Sequence, residues 1–293
     1  MAKVLFGGVA TALVTPFSGG VIDYHSMEEM IERQIAAGID ALVFCGTTGE
    51  APTLTMDEKK SIFDFAVRTV HGRVPVICGT ATNSHATTMR ISSMAAEAGA
   101  DGLLCVSPYY NKGTQKGIER CYREICSIGI PVILYNIPSR SGVDIRPEML
   151  SVLSDESNLV GIKECSCIGR IAEHKARFGD RYSVYSGNDA EFLPSVSVGA
   201  DGVISVLSNL YPREVKGIYR DFCEGENKFA RDKYFSLFDM YALMFSETNP
   251  APVKYALSKL GLCENSLRLP MSEIGAELCE KIDKEMKKIE QKV

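Results

Sequence analysis

A (β/α)8 barrel of the α/β class, followed by a small C-terminal helical segment, is the fold this sequence predicts. Three observations carry that expectation. The segments Gly38-Ile39-Asp40-Ala41-Leu42-Val43, Gly99-Ala100-Asp101-Gly102-Leu103-Leu104 and Gly199-Ala200-Asp201-Gly202-Val203-Ile204 resemble one another. In each, the glycine suits a left-handed helix C-cap and the apolar run that follows suits a buried strand. Their starts, at residues 38, 99 and 199, fit two and then four units of about 25–30 residues, a reasonable length for βα repeats. The strand candidates are also short, rich in Val, Ile and Leu, and show little strict alternation. That marks strands buried on both faces of a parallel sheet.

Taken in order, strands are expected at residues 9–14, 41–44, 74–78, 102–106, 132–135, 159–163, 182–185 and 202–205. Helical patterns lie between them. Thr55-Met56-Asp57-Glu58 reads as a capping box, with Ile62, Phe63 and Ala66 on the apolar face of the helix it opens. Asn83 or Ser84 caps the next helix, which runs through Met89, Met94 and Ala95. Eight such units point to a closed barrel. A doubly wound open sheet is the rival, but no GxGxxG follows the first strand and no acidic residue is placed for a ribose. After about Ser208 the pattern is purely helical. Ile274, Leu278, Ile282, Met286 and Ile289 form a packing stripe on the last helix, expected to lie on the chain's own barrel. The expected division is a catalytic barrel over 1–225 and a helical domain over 226–293.

Composition excludes several classes. With 293 residues, 45% of them hydrophobic, the chain can bury a full core. A formal net charge of −5 and no lysine-arginine block argue against nucleic acid as a partner. No apolar run is long enough to span a bilayer, and the N-terminal residues lack a signal-peptide core, so no membrane association is expected. The 10 cysteines include Cys165 with Cys167 and Cys121 with Cys126, and neither spacing is a metal knuckle. Cys45, Cys78 and Cys105 sit in apolar runs and read as buried, reduced thiols of a cytoplasmic protein. His25, His71, His85 and His174 form no HxxxH pair. No metal site is expected.

In a barrel of this type, function gathers at the C-terminal ends of the strands. The sixth strand, Leu159-Val160-Gly161-Ile162-Lys163, ends on an amine. Desolvated at the rim, an amine can lose its proton and attack a ketone. The other ends supply Gly46-Thr47-Thr48-Gly49-Glu50, Ser107-Pro108-Tyr109-Tyr110-Asn111, Tyr135-Asn136-Ile137-Pro138-Ser139-Arg140-Ser141-Gly142, Ser186-Gly187-Asn188-Asp189 and Ile204. Taken singly, each has an ordinary reading: a solvated lysine, a glycine-threonine turn, packing tyrosines, a surface arginine. Together they place an amine, phenols, small hydroxyls and a guanidinium at one rim. That set suits covalent ketone chemistry on anionic substrates.

These motifs, with Gly8-Val9-Ala10-Thr11-Ala12-Leu13-Val14-Thr15-Pro16-Phe17 and Asn249-Pro250-Ala251-Pro252-Val253-Lys254, resemble the dihydrodipicolinate synthases of the pyruvate-dependent class I aldolase superfamily. The resemblance covers the whole chain. It implies that Lys163 forms a Schiff base with pyruvate and that the resulting enamine attacks L-aspartate 4-semialdehyde. Tyr135 matches the family's proton donor and acceptor, and Thr47 and Tyr110 its proton relay. Tyr110 would act across a dimer interface in the partner's site, and the dimer would pair into a tetramer. Thr48, Gly187 and the backbone of Ile204 would hold pyruvate, and Arg140 would meet the semialdehyde's carboxylate. No cofactor is implied. N-acetylneuraminate lyase and the keto-deoxy sugar acid aldolases share the lysine and tyrosine, but Arg140 and the Tyr109-Tyr110 pair favour the synthase. A catalytically silent keto-acid-binding regulator is disfavoured by the intact residue set. Lysine-inhibited relatives carry two histidines where this chain has Met56 and Lys59, and a glutamate where it has Thr87. Weak or absent lysine feedback is therefore expected, and strong inhibition by sub-millimolar lysine would contradict it.

Overall fold

All eight expected strands form and close into one parallel barrel: β1 (Gly8–Ala12), β2 (Ala41–Phe44), β3 (Val76–Gly79), β4 (Gly102–Val106), β5 (Val132–Asn136), β6 (Leu159–Glu164), β7 (Ser183–Ser186) and β8 (Gly202–Ser205). Each strand pairs with its chain neighbours, and β1 pairs with β8 to close the ring. The structure is a computed structural model describing residues 4–291.

Where boundaries differ from expectation, the backbone gives the reason. The third strand begins at Val76 rather than at residue 74. Pro75 has no N–H to give the ladder, although its carbonyl accepts from Leu42 N at 3.0 Å. The first strand ends at Ala12, yet Leu13 and Val14 stay buried beyond it. Strands β5, β6 and β7 each run one residue further than expected, which places Tyr135 and Lys163 inside the ladder. A small hairpin, Phe17–Ser18 against Val21–Ile22, was not expected. Its turn is Gly19-Gly20, both at positive φ, 56° and 83°. A two-residue turn of that hand favours glycine at both positions.

Eight helices cover the strands: α1 (Tyr24–Ala36), α2 (Met56–Val70), α3 (His85–Glu97), α4 (Gln115–Cys126), α5 (Pro147–Val152), α6 (Ile168–Phe178), α7 (Phe192–Ser197) and α8 (Pro212–Cys223). The Thr55–Glu58 capping box is complete, and Ser84 rather than Asn83 caps α3. One core lies between strands and helices. A second fills the barrel interior with Ala10, Ala12, Ala41, Val43, Ile77, Leu104, Ile133, Tyr135, Val160, Tyr185 and Ile204. Alanines at 10, 12 and 41 leave room for the aromatic rings. Phe6 and Tyr185 stack with centroids 4.2 Å apart near the N-terminal end of β1.

The repeated Gly-x-Asp segments now have a physical meaning. Gly38, Gly99 and Gly199 each take positive φ. The following aspartate then binds the first residues of the neighbouring strand. Asp40 accepts from Val9 N at 2.7 Å, Asp101 from Val76 N at 2.8 Å, and Asp201 from Val184 N at 2.7 Å. The backbone N–H of each aspartate donates to the carbonyl of that same residue. Register is thus clamped at the N-terminal end of the barrel, leaving the opposite rim free for chemistry.

The C-terminal segment contains α9 (Asn227–Ser236), α10 (Phe238–Leu243), α11 (Ala251–Lys259) and α12 (Ala276–Glu290). Its Tyr234, Leu237, Met240, Val253, Leu257 and Ile282 join the core beneath the barrel helices. The expected stripe is buried, but Ile274 precedes α12, which starts at Ala276. A buried ion pair ties this segment to the 46–50 turn: Lys254 Nζ donates to Glu50 Oε1 at 2.5 Å and to the Ser266 carbonyl at 2.6 Å. Glu50 also accepts from Arg268 N at 3.1 Å. Breaking a buried pair leaves an uncompensated charge. Lys254→Met alone should therefore cost about 3–5 kcal/mol of unfolding free energy in urea. Adding Glu50→Gln in the same chain should recover much of that loss.

Candidate active site

Lys163 sits at the C-terminal end of β6, 6% exposed. Strand register makes Tyr135 on β5 its Cα partner on one side and Tyr185 on β7 its partner on the other. The Lys163 amine lies 4.5 Å from the centroid of the Tyr135 ring. Around them is a cavity of about 240 Å³. Of the residues singled out from the sequence, Thr47, Thr48, Tyr135, Arg140, Lys163 and Gly187 line it.

Burial pushes the Lys163 amine below the ordinary lysine range, and the positive Arg140 adds to the effect. Cys165 and Asp189 oppose it. An amine desolvated in this way can be neutral and nucleophilic where an exposed one is protonated. Burial drives the Tyr135 phenol the other way, well above its ordinary value, while a side-chain hydrogen bond with Thr47 and the charge of Arg140 pull it back. The phenol therefore holds its proton, and the Thr47 hydroxyl beside it can both accept and donate.

The frame behind these groups is polar and well bonded. Glu164, 1% exposed, accepts from Asn136 Nδ2 at 3.0 Å and from Ser166 N at 2.8 Å, and lies 3.2 Å from His174 Nε2. Asn136 Oδ1 accepts from Ile145 N at 2.9 Å. These bonds lock the ends of β5 and β6 together, so the lysine and tyrosine cannot drift apart. Asp189 does the same for β7 and β8, accepting from Val206 N at 2.9 Å and Leu207 N at 3.0 Å. The 46–50 turn is bracketed by Cys45 and Glu50, both at positive φ, 51° and 53°. Non-glycine residues in that conformation persist only where their surroundings impose it. Here Lys254 and Arg268 hold Glu50, and Asn249 Nδ2 donates to Thr48 Oγ1 at 3.0 Å.

Gly187 is required by contact. A Cβ there would meet Lys163 Cε at 2.7 Å and collide with Cys165 Sγ. Two expected residues are not among those lining the cavity. Tyr110 is 87% exposed, on a backbone with φ of 69°. Ile204 is fully buried in the interior cluster, and Val206 lines the cavity in its place. Phe245 and Asn249, from the helical segment, also line it and were not anticipated as site residues. Asn249 carried a signal, the Asn249-Pro250-Ala251-Pro252 motif, but nothing in its spacing places it over the barrel. Cys165 lines the cavity as a thiol pushed up to about 11 by burial. Among the described residues no group of three or more His, Cys, Asp or Glu is placed to hold a metal ion. No helix there is long and apolar enough to cross a membrane.

Fold and cavity together define a (β/α)8 barrel with a buried amine at its rim. The chain belongs to the dihydrodipicolinate synthetase family, whose model matches residues 5–289. It is 42% identical over 287 residues to the 4-hydroxy-tetrahydrodipicolinate synthase of Aquifex aeolicus, covering 97% of this chain and 98% of that protein. The crystal structure of the dihydrodipicolinate synthase from Aquifex aeolicus superposes with a TM-score of 0.95 at 42% identity, over 97% of this chain and 98% of that one. The 4-hydroxy-tetrahydrodipicolinate synthase of Methylacidiphilum fumariolicum SolV gives a TM-score of 0.96 at 38% identity, over 99% and 97% respectively.

Proposed function

We propose that this chain condenses pyruvate with L-aspartate 4-semialdehyde through a Schiff base on Lys163, giving 4-hydroxy-tetrahydrodipicolinate. The observation that carries the reading is the desolvated Lys163 amine registered against Tyr135 in a rim cavity. The amine attacks the keto carbon of pyruvate and water leaves, forming an imine. The imine draws electrons from the adjacent methyl group, which gives up a proton and becomes an enamine carbon. That carbon adds to the aldehyde, and the alkoxide formed takes a proton. The amino group of the second substrate then attacks the imine carbon, closing the ring and releasing Lys163. Tyr135 handles the protons at the imine, passing them through Thr47.

The remaining roles belong to the same reading. Thr48, fixed by Asn249, holds the pyruvate carboxylate with the help of Gly187 and the backbone of Ile204. Arg140, whose guanidinium has no hydrogen bond or ion pair among the described residues, receives the carboxylate of the semialdehyde. Tyr110 completes the relay in a partner's site. A homodimer pairing into a tetramer would cover its exposed ring. Ten unpaired cysteines fit a reducing, cytoplasmic setting. The division into a catalytic barrel over 1–225 and a helical unit over 226–293 falls beside Gly225, at positive φ.

The test is a direct comparison of acceptors. Condensation with the semialdehyde should be observed, with no cleavage of N-acetylneuraminate or of keto-deoxy sugar acids. Cleavage of those sugars without semialdehyde turnover would overturn the assignment. Arg140→Ala should raise KM for the semialdehyde by about tenfold or more, the scale of one lost charge-assisted hydrogen bond, while the pyruvate adduct persists. Free lysine at sub-millimolar concentration should inhibit weakly or not at all.

A further inference from the structure

Lys163 and Cys165 both line the catalytic cavity, as residues two apart on an extended chain share one side of a sheet. Cys165 lies one residue beyond β6, where its N–H donates to the Asn136 carbonyl at 3.0 Å and ties it to β5. Its side chain packs on the apolar interior of the barrel. Gly187 brings the two side chains to one spot. A Cβ added there would stand 2.7 Å from Lys163 Cε and nearer still to Cys165 Sγ. Because residue 187 has no side chain, that spot is open to a guest of the cavity. The Lys163 amine, 6% exposed, makes no hydrogen bond or ion pair among the described residues, so a guest meets it unpaired.

The thiol is unreactive on its own. Burial pushes it up to about 11, so at neutral pH it keeps its proton. A positive charge on Lys163 is the strongest influence in the other direction, followed by a hydrogen bond with Tyr135 and the charge of Arg140. Burial also pushes the Lys163 amine down, however, which favours the neutral form and withdraws that charge. Capture of a ketone returns it. Amine and ketone form an iminium, positive at the same nitrogen, and a cation beside a thiol favours the thiolate. The sulfur is thus activated by what the amine has bound.

We propose that Cys165 is a second covalent site, which captures 2-oxo acids carrying a displaceable group on the carbon beside the ketone. The inference rests on the proposed Schiff base at Lys163. With 3-bromopyruvate, amine and ketone first condense to the iminium, taking up one proton and releasing water. The thiol then gives its proton to water, and the sulfur forms a bond to the CH2 carbon. The carbon–bromine bond breaks, and bromide leaves with the electron pair. Hydrolysis of the iminium frees the Lys163 amine and leaves a thioether on Cys165. Nothing is oxidised or reduced. Pyruvate has no leaving group and passes through the same cavity without marking the thiol.

Peptide mass mapping of the full chain after 3-bromopyruvate tests the proposal, using wild type, Lys163→Ala, Lys163→Arg and Cys165→Ala. Iodoacetamide, an alkylating agent without a ketone, is the control. In wild type 3-bromopyruvate should label Cys165, and excess pyruvate should slow that labelling. Iodoacetamide should mark the exposed Cys167 and Cys223 and spare Cys165. In Lys163→Ala the labelling of Cys165 should slow by about 10²-fold or more, since the attack is no longer intramolecular. Lys163→Arg keeps a cation but forms no imine, and should be as slow. Once the reagent is removed, wild type should no longer trap pyruvate under borohydride, whereas Cys165→Ala should. The pyruvate and iodoacetamide comparisons read the site in the unaltered chain, whatever the variants do to folding. Three results would overturn the proposal and leave the proposed function standing: no label on Cys165 in wild type that traps pyruvate, labelling as fast in either Lys163 variant, or labelling of Cys165 by iodoacetamide at the same rate. Loss of pyruvate trapping together with loss of labelling would count against both.

Discussion

Replacing Lys163 by alanine should abolish the condensation, lowering kcat by on the order of 10⁴-fold or more, the scale seen when a covalent nucleophile is removed. Among the described residues no other amine lines this cavity to take over the attack. The variant should remain folded. The rim is held by the bonds of Glu164, Asn136 and Asp189, none of which involves the lysine side chain. Removing a buried amine also relieves a desolvation cost. The pH dependence of the wild type follows from the same burial. The reactive form is the neutral amine, so kcat/KM should rise as pH passes upward through the Lys163 pKa. That rise should fall below the ordinary lysine range, because burial and Arg140 disfavour the cation. A rate that climbs only in the range of an exposed lysine would contradict this account of the site.

The second large effect is expected at Tyr135. Tyr135→Phe keeps the ring that packs 4.5 Å from the Lys163 amine and removes only the hydroxyl that meets Thr47. The expected loss is about 10²–10⁴-fold in kcat, the usual contribution of one positioned proton donor and acceptor. Stability should change little, since no backbone group depends on that hydroxyl. Reduction by borohydride should still trap pyruvate on Lys163 in this variant, only more slowly. Steady-state rates and trapping kinetics on the same preparation would separate the two steps. A loss under tenfold would remove Tyr135 from the proton path.

Much of this was legible in the sequence, and the exceptions have physical causes. The eight strands could be read because a strand buried on both faces must be a continuous apolar run. Lys163 could be read because a charge closing such a run has to be explained. The start of β3 was misplaced because the apolar run at Val74 includes Pro75, which cannot donate to the ladder. The Gly19-Gly20 hairpin carried a turn signal but only two residues per strand, too few to show periodicity. The three aspartate clamps were visible as a repeat, but their partners lie on other strands. Asp40 reaches back 31 residues to Val9. Asn249 and Phe245 were missed as cavity residues because they arrive from the helical segment by a tertiary path, fixed by the Lys254–Glu50 pair across 204 residues. Tyr110 and Ile204 came from the family resemblance. The single chain places one on the surface and the other beneath the cavity, where a partner and a backbone contact respectively would have to bring them into play.

The central claim is that Lys163 captures a ketone covalently. Intact mass measured after borohydride reduction in the presence of pyruvate, for wild type and Lys163→Ala, tests it most directly. One pyruvate-sized adduct per chain is expected in wild type and none in the variant. Wild-type chain without an adduct, or an adduct that survives in Lys163→Ala, would contradict the account.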